Sequence, residues 1–409
     1  MSIPNGEELA VFRRLNNLGN ATYVIRTGVL VPMSVGCTLR SASKHRLKLS
    51  KTPFGMHLTP PPDAPPPQLF EESSQYRHWK YTPEELRELR EKVNAEGATR
   101  VRKAFAEEWS VTKGAEAESP EVDCITWEEQ LALCRFYEGK LVHYCNYLKF
   151  DRSVQATALA FYKRFYLLNT VMDYCPKLYL MTCIFLSSKV ENSHMSLDLF
   201  LGKIPNPPTS DKMVELEFTL SRGIRFEYMI HHPYWPLHGF FLDIQSYLAS
   251  GHPRPAHEHL FQKLQKTYDR AQHFTQLATL SDLIFTHMPS QIALGCFLAA
   301  ARETDFEKEL DKYLAARFHT DPERLVKLRM VLEEVADDVT TQGDKAVNKE
   351  VAAQIANKLR KCQNPAFDPD SALHKHREQE ETREREERHA KKAKLDHEQR
   401  TNLEGLFTA

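Results

Sequence analysis

The sequence lacks the patterns that mark a membrane-spanning protein and several classes of enzyme. No run approaches the roughly 18 apolar residues with which a helix crosses a bilayer, and Met1–Ala10 has no signal-peptide core. The motifs GxGxxG, GxxxxGK[ST], GxSxG and HExxH are also absent. The first absence argues against a transmembrane helix. The second argues against a nucleotide-binding or hydrolytic enzyme, and we expect no catalytic residues.

The chain also lacks an excess of one charge and any closely paired cysteines. Its 54 Lys and Arg residues balance 55 Asp and Glu residues, so we expect no general attraction to nucleic acid. None of the eight cysteines forms a CxxC pair, which argues against a zinc ribbon. The His-rich loops at 231–232 and 252–259 have no Cys or carboxylate at ligand spacing. We therefore expect neither a metal site nor another cofactor.

What the sequence does contain is an apolar-rich stretch from Val154 to Asn192, which predicts two consecutive helices. Pro176 starts the second helix, at a position where its missing N–H costs no hydrogen bond. Between Lys177 and Val190, apolar residues occur on every side of this helix, a pattern typical of the buried centre of a bundle. The helix then ends at Lys189, a cation that favours a helix C-terminus.

A second stretch, MPSQIALGCFLAAARE, repeats this design. It also begins with proline, continues with small or apolar residues and ends with a cation. Two such segments in one chain predict two copies of one helical unit. The shared spacing relates Pro176, Cys183, Leu186 and Lys189 to Pro289, Cys296, Ala299 and Arg302.

Periodicity and composition divide the chain into six segments. These are a Pro-rich, disordered extension (1–72), a docking segment and helix (73–125), two helical units (126–230 and 231–341), a C-terminal helix (342–364) and a charged, disordered tail (365–409). No ordered segment shows the alternation of a strand, so the predicted fold class is all-α. Both terminal helices are amphipathic, and we expect them to pack on the first unit.

Three details of this pattern concern individual helices. The N-terminal helix starts with a capping box at Thr82, and its apolar stripe is interrupted at Gly97. The fifth helix of the first unit, Asp211–Arg225, contains many apolar residues. We expect Val214 and Phe218 to lie in the core with the other apolar residues of that helix.

The stretch Tyr76–Lys80 interleaves aromatic and cationic residues, as single-stranded nucleic-acid sites do. It is short, however, and it precedes a capped helix. We therefore predict a docking segment that buries Tyr76 and Trp79. A second basic cluster, Lys391–Lys394, is compatible with a nuclear-import signal.

Several motifs together resemble those of the cyclin family. They are FYKRFYL, MTCIFLSSKVEN and RFEYMIHHPYWPLHGFFLDI, and QYRHW before the first helix is similar to the branch associated with the transcription factor TFIIH. The resemblance spans about Ser73 to Cys362. It implies two tandem five-helix cyclin boxes with extra N- and C-terminal helices.

The resemblance also implies a function. A cyclin of this branch is a regulatory subunit that binds and activates a cyclin-dependent kinase, which phosphorylates the C-terminal repeats of RNA polymerase II. Carried over to this chain, the kinase-binding residues are Lys189, Val190, Glu217 and Phe226. The implied partners are the kinase, a RING-containing assembly factor and the TFIIH core, in the nucleus, with no direct contact with nucleic acid or membrane.

One departure from the cell-cycle cyclins concerns their substrate-docking patch. Arg135 fits the pattern of that patch, but Lys163 replaces the Asp that usually pairs with this arginine. Docking of substrates there is therefore not expected. Two alternatives remain open: a partner of another transcriptional kinase, as in the C, K, L and T types of cyclin, and a TFIIB-like factor that bridges DNA and polymerase.

Overall fold

The computed structural model describes residues 22–26, 29–33, 70–113, 121–251, 254–341 and 347–407. The N-terminal elements are strands β1 (Thr22–Arg26) and β2 (Val29–Met33), a 3-10 turn (Phe70–Glu72), and helices α1 (Ser74–Trp79) and α2 (Pro83–Lys113). The strands form an antiparallel hairpin with Thr22 opposite Met33. This hairpin lies within the segment expected to be disordered. The Pro-rich part of that segment lies outside the described residues.

The first helical unit follows as five helices. They are α3 (Trp127–Tyr147), α4 (Arg152–Leu168), α5 (Pro176–Val190), α6 (Leu197–Leu201) and α7 (Ser210–Gly223). Local chemistry sets their starts: Thr126 and Glu129 form a capping box for α3, and Thr209 caps α7 with its hydroxyl.

The second unit has the same order of helices and one additional short helix. Its helices are α8 (Tyr234–Gly251), α9 (Arg254–Leu280), the short α10 (Leu283–Thr286), α11 (Pro289–Glu303), α12 (Glu307–Arg317) and α13 (Pro322–Thr341). The all-α prediction with two tandem units is thereby confirmed. In the described part of the chain, no helix is long and apolar enough to cross a membrane.

Each unit has its own hydrophobic core around its proline-initiated helix, α5 or α11. The terminal helices α2 and α14 (Lys349–Lys361) belong to the first core, which contains Val101 from one and Ile355 from the other. The expectation that both pack on the first unit is confirmed. Polar contacts join the same three parts, since the buried Asp173 carboxylate accepts hydrogen bonds from Arg100 and Asn364, each at 2.7 Å.

The interruption of the apolar stripe at Gly97 is a close contact between helices. Gly97 is buried on α2, and a Cβ atom built there would lie 2.3 Å from Cγ2 of Thr170. No real Cβ tolerates that distance, and Thr170 is fully buried with little room to move. Glycine is therefore required at this position by packing, and α2 continues through it without a break.

We expect Gly97→Ala to destabilise the protein by about 1–3 kcal/mol, because overpacking outweighs the better helix propensity of alanine. Gly139 on α3 is the matched control, since a Cβ built on this helical glycine would meet no atom within 4 Å apart from the backbone of its own helix and its chain neighbours. Gly139→Ala should stabilise by about 0.5–1 kcal/mol. Urea unfolding of both variants measures the difference. Equal effects of the two substitutions would contradict the contact with Thr170.

The charged tail differs from the expected disorder. After a 3-10 turn (Pro365–Phe367), helix α15 runs from Ala372 to Phe407. The Glu108 carboxylate on α2 accepts hydrogen bonds from the first two backbone N–H groups of α15, at 3.0 and 2.6 Å, which caps the helix. The side chain of Leu373 is buried. The sequence analysis missed this contact because a single apolar residue and one distant carboxylate leave no periodic signal.

This docking predicts different effects for two truncations of the tail. Removal of residues 378–409 should leave the melting temperature nearly unchanged, because the side chains described there, 378–394, are exposed. Removal of residues 365–409 should cost about 2–4 kcal/mol, since it also deletes the buried Leu373. Calorimetry of both truncated proteins tests this expectation. A disordered tail would instead make both truncations neutral.

Candidate functional site: a protein-docking face

Lys189 lies in the last turn of α5, where the helix leaves the core. Every side chain from Tyr179 to Ser188 is buried, so α5 is surrounded by the rest of its unit. The chain turns at Asn192, which adopts a left-handed conformation with φ of 57°. The predicted all-round burial of this helix is confirmed, and it explains why the charge of Lys189 emerges at the helix end.

The Lys189 ammonium forms an ion pair with the Glu217 carboxylate of α7. It also lies 4.3 Å from the ring centroid of Phe185, which supports it as a cation–π contact. The two charged side chains are 39% and 18% exposed. An ammonium has three donors and a carboxylate about four acceptor sites, so each group retains hydrogen-bonding capacity for a further partner.

The sequence-based assignment of the apolar residues of α7 was partly wrong. Met213, Leu216 and Leu220 are buried, but Val214 and Phe218 are 56% and 62% exposed. Helix geometry explains the division, because residues three and four apart share a face. Met213, Leu216 and Leu220 follow this spacing on the buried face, and Val214 and Phe218, four residues apart, share a different face. The helical period of 3.6 residues separates the exposed from the buried apolar residues of α7 once each position is assigned to a face of the helix.

Phe226 lies on the short connection that follows α7. Arg225 and Phe226 have φ values of 60° and 57°, so two consecutive residues with side chains are left-handed. This conformation costs roughly 1–2 kcal/mol per residue for an L-amino acid. The ring of Phe226 is 53% exposed and lies 6.3 Å from the ring of Phe218, centroid to centroid.

Val190 is half-buried against the first core and follows Lys189 directly. The carboxylate of the next residue, Glu191, accepts a hydrogen bond from Thr157 at 2.5 Å and lies 3.6 Å from Nε2 of His232. Burial alone raises the pKa of Glu191, but the bonds from His232 and Thr157 outweigh it and lower the pKa. A charged carboxylate therefore anchors the end of α5.

The four residues expected to bind a kinase thus lie at the end of α5, in the middle of the neighbouring α7 and on the connection after α7. We call the surface formed by Lys189, Val190, Val214, Glu217, Phe218 and Phe226 the Lys189 face. It combines a partly exposed ion pair with exposed phenylalanine and valine side chains, and phenylalanine is enriched in protein–protein interfaces relative to the rest of the surface. Among the described side chains, no group of three or more His, Cys, Asp or Glu residues is placed to hold a metal ion.

The second unit repeats the ion pair of the Lys189 face. Arg302 at the end of α11 donates to Glu333 on α13 at 2.5 and 2.6 Å, and to Glu307 at 3.1 Å. The pair again joins the proline-initiated helix to the last helix of the unit. The predicted repeat is therefore confirmed at the level of geometry, and Arg302 offers a matched comparison for Lys189.

The residues that resemble a substrate-docking patch are instead used inside the protein. Arg90 of α2 makes two hydrogen bonds to Asp282 of the second unit, at 3.0 and 2.7 Å, and Arg135 approaches the same carboxylate at 3.5 Å. Lys163 pairs with Glu138 at 2.8 Å, with both side chains buried. Burial alone raises the pKa of Asp282, but Arg90, Lys163 and Arg135 outweigh it and hold the pKa well below its usual range.

The segment Gln75–Trp79 docks on the connection between the two units, residues 224–233. Gln75 accepts from the backbone N–H of His231 at 2.8 Å and donates to its carbonyl at 3.4 Å. Trp79 is 1% exposed and donates its indole N–H to the Glu227 carboxylate. The expected burial is confirmed for Trp79, whereas Tyr76 is only half-buried.

Docking of this segment makes the stability of the protein sensitive to pH through His231. Burial lowers the pKa of His231 to about 4, and the charges of His232 and Arg164 act in the same direction. The folded state therefore binds the proton less well than the unfolded state, and stability falls as the pH drops below about 6.5.

From this shift we expect His231 to account for a loss of about 1 kcal/mol between pH 7 and pH 5.5. Urea unfolding at both pH values measures the loss. In His231→Gln, which cannot be protonated, the pH dependence should become flatter by that amount. An unchanged slope in the variant would show that other groups determine the pH dependence.

Two family profiles match the two units described above. The profile for the cyclin N-terminal domain matches residues 118–228, and the profile for the cyclin C-terminal domain matches residues 232–364. Cyclin mcs2 of Schizosaccharomyces pombe is 29% identical over 332 residues, which cover 79% of this chain and 94% of that protein. Cyclin-H of Xenopus laevis is 29% identical over 249 residues, which cover 59% of this chain and 71% of that protein.

Two solved structures also contain chains that are similar to this one. A chain of the CAK complex from Chaetomium thermophilum bound to ATP-gamma-S superposes with a TM-score of 0.63 and 25% identity, covering 76% of this chain and 94% of that one. A chain of the yeast TFIIK (Kin28/Ccl1/Tfb3) complex has a TM-score of 0.51 and 32% identity, covering 66% of this chain and 99% of that one. The chain described here therefore belongs to the cyclin family, within the group that includes cyclin H and mcs2.

Proposed function

We propose that this cyclin is the regulatory subunit of a cyclin-dependent kinase of the CDK-activating and TFIIH type. The similarity to chains of the CAK and TFIIK complexes supports the type of kinase. The observation that carries the proposal is the Lys189 face, because it presents exposed apolar side chains around a preformed ion pair at the positions where the family motif places the kinase-binding lysine and glutamate.

In this proposal the ion pair contacts the backbone of the kinase. The Lys189 ammonium donates to free carbonyl oxygens, and the Glu217 carboxylate accepts from free N–H groups, each as a charge-assisted hydrogen bond. Val190 and Phe226 supply apolar contact on either side of the pair. Val214 and Phe218 extend the apolar area, because both side chains are exposed to solvent beside the pair rather than packed in the core.

Activation follows from differential affinity for two states of the kinase. A cyclin that binds the active placement of a kinase helix better than the inactive one shifts the population towards the active state. A shift from mostly inactive to mostly active requires roughly 5.5 kcal/mol of differential affinity, which a large helical interface supplies. The cyclin itself contributes no catalytic group to the phosphorylation of the RNA polymerase II C-terminal domain.

Further partners follow from the same assignment. The yeast complex names three components, Kin28, Ccl1 and Tfb3, which supports a third subunit in addition to the kinase. We propose that this subunit is a RING-containing assembly factor, that the trimer joins the TFIIH core, and that the protein acts in the nucleus. Direct contact with nucleic acid is not part of the proposal, since the net charge is −1.

We also propose domain limits for the two cyclin boxes, at 126–230 and 231–341. The C-terminal family profile extends to residue 364 and so includes α14. That helix packs on the first core through Ala352, Ile355 and Leu359. It is therefore better described as a separate helix, 342–364, that follows the second box and returns to the first.

Replacing the charged residues of the Lys189 face tests the proposal. Each of Lys189→Ala and Glu217→Ala should weaken kinase binding roughly ten- to a hundredfold, because each loses charge-assisted bonds worth about 1.5–3 kcal/mol to desolvated backbone groups. The folding transition of the free cyclin should hardly move, since an ion pair that is partly exposed contributes about 1 kcal/mol or less. Titration calorimetry with the kinase and thermal unfolding give the two quantities.

Arg302→Ala is the matched control, because Arg302 occupies the equivalent helix end in the second box and is also ion-paired. This variant should bind the kinase with an affinity near that of the wild type. If Arg302→Ala weakens binding as much as Lys189→Ala does, or if neither Lys189 nor Glu217 matters, the assigned face is wrong.

A further inference from the structure

The connection that carries Phe226 is held by contacts rather than by regular secondary structure. It follows α7, and both Arg225 and Phe226 adopt left-handed conformations that side chains disfavour. Their backbone N–H groups close the end of α7 by bonding to Arg222 and Ser221, at 3.0 and 2.8 Å. These bonds close the helix end, and further contacts on both sides of Phe226 are needed to keep its exposed ring in one place.

Helix α1 supplies those contacts on the C-terminal side of Phe226. The Glu227 carboxylate accepts a hydrogen bond from the indole N–H of Trp79 and lies 2.5 Å from Nδ1 of His78. His231 lies four residues after Glu227, and both its backbone N–H and its backbone carbonyl form hydrogen bonds with the side chain of Gln75. The connection is therefore fixed to α1 at two points, and the first is the residue adjacent to Phe226.

On the N-terminal side, the same tryptophan holds Arg225. Its guanidinium lies 5.5 Å from the Trp79 ring centroid, and the guanidinium of Arg164 lies 4.8 Å from it. Arg164 also donates to the backbone carbonyl of Glu227 at 3.1 Å. Both neighbours of Phe226 thus contact Trp79, one through a cation–π contact and the other through a hydrogen bond.

From this arrangement we infer that α1 positions the kinase-binding connection, with Trp79 and Glu227 as positioning residues that act through Phe226. The inference rests on the proposed kinase-binding role of the Lys189 face. Loss of the Trp79–Glu227 contact frees Arg225 and Phe226 to relax into more favourable backbone conformations. The ring of Phe226 then leaves its place beside Phe218, and the kinase must restore the strained conformation on binding.

Two variants remove the contact in different ways. Glu227→Ala deletes the acceptor, and Trp79→Phe retains a buried ring but deletes the N–H donor. Each should weaken kinase binding about tenfold, equivalent to about 1.4 kcal/mol. Glu227→Gln retains an acceptor oxygen for the indole N–H and should bind within about threefold of wild type, about 0.65 kcal/mol at RT of about 0.59 kcal/mol. Binding is measured by titration calorimetry with the full-length cyclin and the TFIIH-associated kinase.

The matched control for a general loss of stability is Asp243→Ala in the second box. Asp243 accepts hydrogen bonds from the Tyr313 hydroxyl and from Arg317 at 2.6 Å, and it is 16% exposed, compared with 15% for Glu227. Both variants should lower the melting temperature, but only Glu227→Ala should weaken kinase binding. Equal losses of affinity in the two variants would overturn the inference.

A double-mutant cycle separates positioning from a direct contact of Glu227 with the kinase. If Glu227 acts through Phe226, then Glu227→Ala should weaken binding no further in a protein that already carries Phe226→Ala. Additive losses would contradict the inference. If Phe226→Ala alone leaves affinity unchanged while Lys189→Ala weakens binding, the inference fails and the proposed function stands. If neither Phe226→Ala nor Lys189→Ala nor Glu217→Ala weakens binding, the proposed kinase face itself fails. If Phe226→Ala weakens binding and Glu227→Ala does not, the positioning role fails while the proposed function stands.

Discussion

Burial of α5 on all sides is the constraint on which the first box depends. A helix with ten consecutive buried side chains, Tyr179 to Ser188, must be surrounded by other helices, and α3, α4 and α7 occupy those positions. Only the helix end reaches solvent, so Lys189 meets Glu217 at the rim of the core. The same constraint acts on α11, and it produces the corresponding pair of Arg302 with Glu333.

The junction between the boxes depends on different physics, because their two large cores are separate. A small third cluster joins them and contains Trp79, Leu86, Leu167 and Phe285, from the N-terminal helices and from both boxes. Around it lie polar contacts with strict geometry, including the Arg90–Asp282 pair. Such contacts contribute less free energy than apolar burial, but they depend on the directions of their donors and acceptors. They therefore favour one orientation of the two boxes relative to each other.

The sequence predicted those features that follow from local periodicity. Apolar spacing and proline starts located the helices of both boxes, and the repeated spacing of α5 and α11 revealed the two units. Features that depend on distant partners were missed. The partner of Arg135 is 147 residues away, and the exposure of Phe218 depends on which side of α7 faces the core. The first leaves no signal in a window of one helix, whereas the helical period of α7 does separate Phe218 from the buried residues.

The ion pair of the Lys189 face also explains how a binding site remains compatible with a stable free protein. An unpaired Lys189 or Glu217 at the rim of the core would carry a desolvation cost of about 1 kcal/mol or less, because both side chains are partly exposed. Pairing removes that cost, and partial exposure keeps the pair weak enough to share its hydrogen bonds with a partner. The side chains are then already oriented, so association loses little conformational entropy at this point. Strain is instead concentrated in the adjacent connection at Phe226, where contacts from α1 compensate for it.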